Sequence, residues 1–312
     1  MSPMLHRRQF GGRYMGLWVG SHGCGKTVAI GSMPGPILIF DFDGRIDPLI
    51  DFYPRRTDIE FFTVGLSDDA RHDVIGLKKF AEMFEQLQTD CPYGTVAIDS
   101  YTMYSTTSVL YQMGHRDNAT LKRTKGGIAI PDWDEFKGET GLAVQIMEVA
   151  KIIPAHFIMT AHPVTKAQTT KQGGTTNEVL ASMIKATTLQ TYGWKTGSFL
   201  PCYFNEMYFF YNEASTQIAH GVRYFVQTVA SGEIVAKSAM GLPAKFEITK
   251  KAMWPILGSL IEERKQQIAK IRQEVKADDI PDIWNESDLS EREVKVEEDI
   301  DYPRKLSPAE GL

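Results

Sequence analysis

An α/β fold with a mostly parallel central sheet is the architecture this 312-residue sequence predicts. Three observations carry that reading. The octapeptide Gly20-Ser21-His22-Gly23-Cys24-Gly25-Lys26-Thr27 fits the pattern G-x-x-x-x-G-K-[ST] and lies between an apolar run of strand length and a helical stretch. Four further apolar runs of strand length follow, with helical segments between several of them. Polar residues at 41–43, 99–100 and 160–162 close three of those runs, at the carboxyl ends where such sheets hold their ligands.

Taken in order, residues 14–19 form the first strand and 27–33 the helix that the octapeptide opens. Residues 36–41 read as a second, buried strand ending in Asp41-Phe42-Asp43-Gly44, and 59–64 as a third. An amphipathic helix spans 74–87, and a fourth strand, 94–99, ends in Asp99 before Ser100. Between 134 and 153, apolar residues at 142, 146, 149, 150 and 153 keep helical spacing. The fifth strand, 155–161, ends at His162-Pro163. Parallel β-α-β units with right-handed crossovers follow, with helices on both faces. Beyond residue 203 the pattern changes to strands at 206–211, 222–229 and 233–237 without intervening helices, an antiparallel extension. A helix over 252–275 closes the ordered part. The expected organisation is an N-terminal arm (1–13), a core (14–250), a C-terminal helix (251–276) and an acidic, disordered tail (277–312).

Composition bounds the function. The chain is 43% apolar and 23% charged, globular proportions that bury a large core. It has no uninterrupted apolar run of membrane-spanning length, and its first residues lack the apolar segment of a secretory signal. Three widely separated cysteines argue for a reducing, cytoplasmic setting and against a disulfide framework or zinc site. Residues 277–312 hold twelve Asp/Glu and four Lys/Arg, a balance of −8 within a chain of net −5, which leaves +3 for the preceding 276 residues. Such a tail solubilises, or occupies a basic surface by mimicking phosphate, or docks a partner.

The octapeptide carries the chemistry. Consecutive backbone N–H groups from Gly20 to Thr27 converge on a polyphosphate, reinforced by the positive end of the helix that follows. Lys26 brings a point charge to the β/γ-phosphates, and the Thr27 hydroxyl is placed to ligate Mg²⁺. Asp99, closing an apolar strand some distance downstream, fits the carboxylate that holds Mg²⁺ through its water shell; capping a helix through Ser100 is its plainer role. Asp43 is the candidate base or water-positioning group, on the expectation that its strand neighbours the phosphate-loop strand; the alternative is a turn-forming Asp before Gly44. Thr160 and His162 are placed to sense the terminal phosphate, with a structural histidine as the alternative. Two long polar loops, 113–133 and 163–178, offer Arg116, Lys122, Arg123, Lys125, Lys166 and Lys171 and few carboxylates.

The succession of phosphate loop, Ile-Phe-Asp-Phe-Asp-Gly, Val-Ala-Ile-Asp-Ser, Phe-Ile-Met-Thr-Ala-His and a terminal antiparallel extension resembles the RecA-like recombination ATPases. It is most similar to the compact phage-encoded group of single-strand annealing and RecA-core proteins, over about residues 12–250. The resemblance implies a RecA-like P-loop NTPase fold using ATP and Mg²⁺, and oligomers with the nucleotide at a subunit interface. Carried over, the catalytic acid falls on Asp43, the Mg²⁺ aspartate on Asp99 and the phosphate sensor on His162. The loops 113–133 and 163–178 would bind single-stranded DNA, and Lys237 and Lys245 become trans-acting cations or merely solvated lysines. The sequence departs from the pattern with Asp in place of Glu at 43 and His in place of Gln at 162. The function implied is an ATP-hydrolysing DNA-binding protein of recombination, repair or replication. A hexameric helicase-type motor and a small-molecule kinase on the same loop are the alternatives.

Overall fold

The computed structural model describes residues 13–64, 75–117, 119–167, 185–192, 196–216, 221–231, 234–249 and 252–274. Its strands are β1 (Met15–Gly20), β2 (Ile37–Asp41), β3 (Ile59–Thr63), β4 (Thr95–Asp99), β5 (His156–Ala161), β6 (Pro163–Ala167), β7 (Lys185–Leu189), β8 (Glu206–Ala214), β9 (Val222–Gln227) and β10 (Lys245–Glu247). The helices are α1 (Lys26–Ile30), α2 (Asp47–Phe52), α3 (Ile75–Gln86), α4 (Tyr101–Gly114), α5 (Trp133–Ala150), α6 (Thr196–Phe199) and α7 (Met253–Glu274), with a 3₁₀ turn at Leu200–Tyr203. Eight strands form one sheet in the order β10-β9-β8-β1-β5-β4-β2-β3, parallel from β8 to β3 and antiparallel where β9 and β10 extend it. This is the expected α/β architecture: a mostly parallel sheet with helices on both faces and an antiparallel extension at its C-terminal end.

Strand alternation assigns the two layers. Leu17, Val19, Leu38, Phe40, Val96, Ile98, Phe157 and Met159 point to the side covered by α3, α4 and α5, where Phe80, Phe84, Tyr104 and Met147 are buried. Trp18, Ile37, Ile39, Ala97, Ile158, Tyr208 and Phe210 point to the other side, under α1, α2 and the start of α7. Both sides are apolar, so the central strands read as continuous hydrophobic runs. The indole of Trp18, fully buried, donates from Nε1 to the Tyr14 hydroxyl at 2.7 Å, which satisfies its one polar atom.

The opposite rim of the sheet is tied by a histidine. His156 Nδ1 accepts the Tyr14 backbone N–H at 2.9 Å, and its ring packs 4.9 Å from that of Trp254 at the start of α7. Burial, with Arg13 and Lys265 adding repulsion, lowers the imidazole to about 4. The native ring is therefore neutral, whereas the unfolded chain takes up a proton below about pH 6.5. The stabilisation is present above that pH and is lost as the pH falls through this window toward 4. Denaturant titrations should show the wild type losing about 1 kcal/mol between neutral pH and pH ~5 that His156→Gln does not lose, after discounting for the half-buried ring. Parallel losses in both proteins would remove His156 as the cause.

Several local expectations change. β1 is flanked by β5 and β8, so β2 does not neighbour the phosphate-loop strand: β5 and β4 stand between them. Residues 233–237 contribute isolated bridges, Ser231 with Ile234 and Met207 with Lys237, while the third antiparallel strand is β10. The 163–178 loop begins as a strand, because β6 pairs antiparallel with β7 some twenty residues on. The 113–133 loop narrows, since α4 runs to Gly114 and α5 starts at Trp133, where the Glu135 carboxylate accepts the Asp132 N–H at 2.7 Å. Within it, residues 122–130 fold back in a tight hairpin bridged from Arg123 to Ala129, with Gly127 at φ 79°.

The chain divides into two compact units, Met1–Lys265 and Gln266–Leu312. The proposed tail, 277–312, and residues 1–12 of the proposed arm, 1–13, lie outside the described residues. Among the described residues no helix is long and apolar enough to cross a membrane.

Candidate functional site

β1 delivers Gly20 to the rim, where a Cβ would lie 2.4 Å from the Phe210 carbonyl oxygen and 2.6 Å from Cys24 Sγ, so only glycine fits. Gly25 caps α1 at φ 90°, a left-handed conformation that side chains resist. Lys26 is 5% exposed: its Nζ donates to Gly20 O at 2.6 Å and Ser21 O at 2.9 Å, so the ammonium is held across the mouth of the loop. Burial pushes the Cys24 thiol up, despite Lys26 Nζ 3.7 Å from its sulfur. The β8–β9 ribbon supports the outer side, with Asn212 Nδ2 donating to Gly23 O at 3.2 Å and the Tyr224 ring against Gly25.

Asp99 sits at the end of β4, level with Asp41 of β2. Its Oδ2 accepts from Thr27 Oγ1 at 2.6 Å, and its Oδ1 accepts from Thr160 Oγ1 on β5. Burial pushes its carboxyl up, with Asp43 adding repulsion, while the two threonine hydroxyls and Lys26 work the other way. A carboxylate oxygen beside a hydroxyl oxygen is a hard, small donor set. It suits Mg²⁺, which takes few protein ligands and keeps several waters.

Asp43 reaches the same place by a different route from the one its strand suggests. The Phe42 and Asp43 N–H groups both donate to Asp99 O, at 2.7 and 3.3 Å, which folds the loop after β2 over the end of β4. Ser100 Oγ donates to Asp43 Oδ1 at 2.6 Å, and His162 Nε2 lies 3.3 Å from Asp43 Oδ2. Burial raises the Asp43 carboxyl, but the bonds from His162 and Ser100 and the nearby positive charges hold it below the usual carboxylate range. Asp41, two residues earlier, turns instead onto the Gly44 and Arg45 N–H groups, so the two carboxylates do not act together. His162 is anchored by its own N–H on Thr102 Oγ1 at 2.9 Å, and its Nδ1 lies 3.2 Å from Gly20 O. The exposed His22 ring packs against it, tilted by 31° with the ring centres 3.9 Å apart. His22 is held below the usual histidine range chiefly by repulsion from His162, then by partial burial, Lys26 and Arg45.

Lys26, Thr27, Asp43, Asp99 and His162 are thus brought together at one rim, three of them through hydrogen bonds to Ser100, Thr102 and Thr160. Ser100, read from the sequence as the residue opening a helix, does cap α4. Thr160, read as a phosphate-sensing candidate, donates to Asp99. Thr102 is the residue that sequence reading passed over, and its role shows only once α4 and β5 are seen side by side.

The basic residues are not gathered there. Arg116 pairs with Glu135 at 2.9 Å and Lys122 with Asp132 at 2.8 Å. Arg123 Nη1 donates to Gly127 O at 2.7 Å, and Lys125 stands exposed at the hairpin tip. Lys171 and the Lys166 side chain lie outside the described residues. Lys237 Nζ donates to Pro201 O at 2.8 Å, and Lys245 pairs with Glu213 at 3.0 Å while sitting 4.0 Å above the Phe225 ring. A cavity of about 550 Å³ opens at the end of the β8–β9 ribbon, lined by residues such as Glu213 and Arg223 and by none of the loop 20–27.

A phosphate-loop sequence ends the first strand of a mostly parallel sheet and faces Asp99 across one intervening strand, in a mixed α/β fold. No protein-family model matches the chain, and no curated protein matches it. Among solved structures it is similar to a KaiC-like protein of the hyperthermophilic archaeon Pyrococcus horikoshii OT3. That match has 10% identity and a TM-score of 0.33, covering 69% of this chain and 77% of the other.

Proposed function

We propose that this protein binds and hydrolyses ATP and couples that cycle to single-stranded DNA, as an oligomer serving recombination, repair or replication. The convergence of Lys26, Thr27, Asp99, Asp43 and His162 on one rim carries the reading. Loop N–H groups and Lys26 bind the β/γ-phosphates, the α1 N-terminus adds its partial positive charge, and Asp43 orients the attacking water. Thr27 and Asp99 would hold Mg²⁺, which supplies charge neutralisation on the phosphate oxygens. His162 directly precedes β6, which would carry a change at its ring toward the β6–β7 ribbon. ATP turnover measured with and without single-stranded DNA tests the whole reading: a purified protein with no turnover in either condition would overturn it.

The DNA part is supported by an exposed aromatic edge. Trp133 is 54% and Tyr192 47% exposed, and the Tyr192 ring stacks on Phe136, one turn along α5 from Trp133. Base stacking on such rings is sequence-tolerant. Within the 113–133 loop Arg116 and Lys122 form ion pairs, so Arg123 and Lys125 are this loop's candidates for backbone contacts. Replacing both by alanine should lower the slope of log affinity against log salt by about 0.7 per contact, and Trp133→Ala should cost about 1–3 kcal/mol of single-strand affinity. An unchanged salt slope would take the hairpin out of the interface.

A further inference from the structure

Glu139 of α5 is 0% exposed and belongs to no part of the nucleotide rim. Its Oε1 accepts from Ser105 Oγ at 2.8 Å and from the Tyr101 hydroxyl at 3.2 Å, and its Oε2 accepts from Thr196 Oγ1 at 2.5 Å. Three hydroxyls, and among the described residues no cation, therefore answer this carboxyl group. Burial pushes it up, while Thr196, Ser105 and Tyr101 pull it down. An apolar side chain would fill the same space at less cost. What the carboxyl group adds is connection. Tyr101 and Ser105 belong to α4, Glu139 to α5 and Thr196 to α6.

These ties lead to two different places. The Tyr192 backbone N–H donates to Ser105 Oγ at 2.8 Å, and Ser105 gives its own hydrogen to Glu139. A residue with an exposed ring is thus tied to the carboxyl group through one hydroxyl. The Tyr192 ring also stacks on Phe136, three residues before Glu139 and on the same side of α5. In the other direction, Tyr101 follows Ser100, which donates to Asp43, and precedes Thr102, which accepts the His162 N–H. We propose that Glu139 is a positioning residue that joins the Tyr192 edge to the start of α4, so that a single strand stacked on Tyr192 firms the hold of Ser100 and Thr102 on the nucleotide rim. This route rests on the DNA-coupled reading above and names the residue that carries the coupling. Glu139 touches neither strand nor nucleotide. It holds three elements in one arrangement, and a strand that orders Tyr192 orders the other two.

Linkage makes the test reciprocal. The factor by which a non-hydrolysable ATP analogue with Mg²⁺ changes affinity for a single-stranded oligonucleotide equals the factor by which the oligonucleotide changes affinity for the analogue. That factor is expected to be about fivefold or more in the wild type and to fall to within about twofold of one in Glu139→Gln. The amide keeps the size of the side chain but offers one oxygen in place of two to the three hydroxyls. Ser105→Ala cuts the tie to Tyr192 and should remove the factor equally, which keeps the test open if Glu139→Gln does not fold. A purely structural Glu139 would lower the melting temperature and leave the factor unchanged. Survival of the wild-type factor in either folded variant overturns the role of Glu139. A factor of one in the wild type overturns the DNA-coupled reading, and the role of Glu139 with it.

Discussion

Lys26→Ala is expected to abolish tight ATP binding, lowering affinity roughly 100-fold or more, the size of about 3 kcal/mol of charge-assisted hydrogen bonding. The ammonium is already sequestered at the loop mouth, held by Gly20 O and Ser21 O, so little ordering is required when phosphate oxygens replace those carbonyls. Alanine removes the ammonium that Gly20 O and Ser21 O hold at the loop. Titration with a fluorescent ATP analogue measures the effect, and a thermal melt distinguishes it from unfolding. Wild-type affinity in a folded Lys26→Ala protein would mean the octapeptide does not grip a triphosphate.

The second large effect is on turnover. Asp43→Asn should reduce ATP hydrolysis by about 10²–10⁴-fold, the range that positioned proton acceptors contribute, while binding stays within a few-fold of wild type. The amide oxygen can still accept from Ser100, so the loop after β2 keeps its fold. The amide presents no ionised oxygen to a water and no charge to His162. Single-turnover hydrolysis with saturating ATP separates chemistry from product release. A rate unchanged in that assay would remove Asp43 from the reaction and leave it as the residue that shapes the turn before Gly44.

What the sequence disclosed and what it hid divide along a physical line. The phosphate loop, the strands ending at Asp41 and Asp99, and the helices over 75–86 and 133–150 are local: spacing, apolar runs and glycine chemistry determine them within a few residues. Sheet order is not local. Nothing near residue 37 announces that β2 pairs with β4 and β3 and not with β1, and the reasoning that placed Asp43 in the site through a neighbouring strand was therefore mistaken about the route. Asp43 arrives by a loop whose N–H groups find the Asp99 carbonyl. The β6–β7 ribbon was hidden for the same reason, since its pairing spans residues of unremarkable composition. The three-residue β10 is too short to leave a period, and six-residue α2, opened by Asp47-Pro48, is too short for a hydrophobic stripe.

Ser100 ends β4, starts α4 and holds Asp43 with a single side-chain oxygen. Its hydroxyl receives the Met103 N–H at 3.5 Å while giving its own hydrogen to the carboxylate. One atom therefore answers to two demands that selection would otherwise adjust separately, the firmness of a helix end and the aim of an acid. A threonine or aspartate that capped α4 equally well would shift or repel Asp43, and a residue chosen to aim Asp43 better would loosen the helix. Variation at this position is confined by both at once, so an engineer seeking a hardier protein has more freedom at an exposed position of α4 such as Leu110.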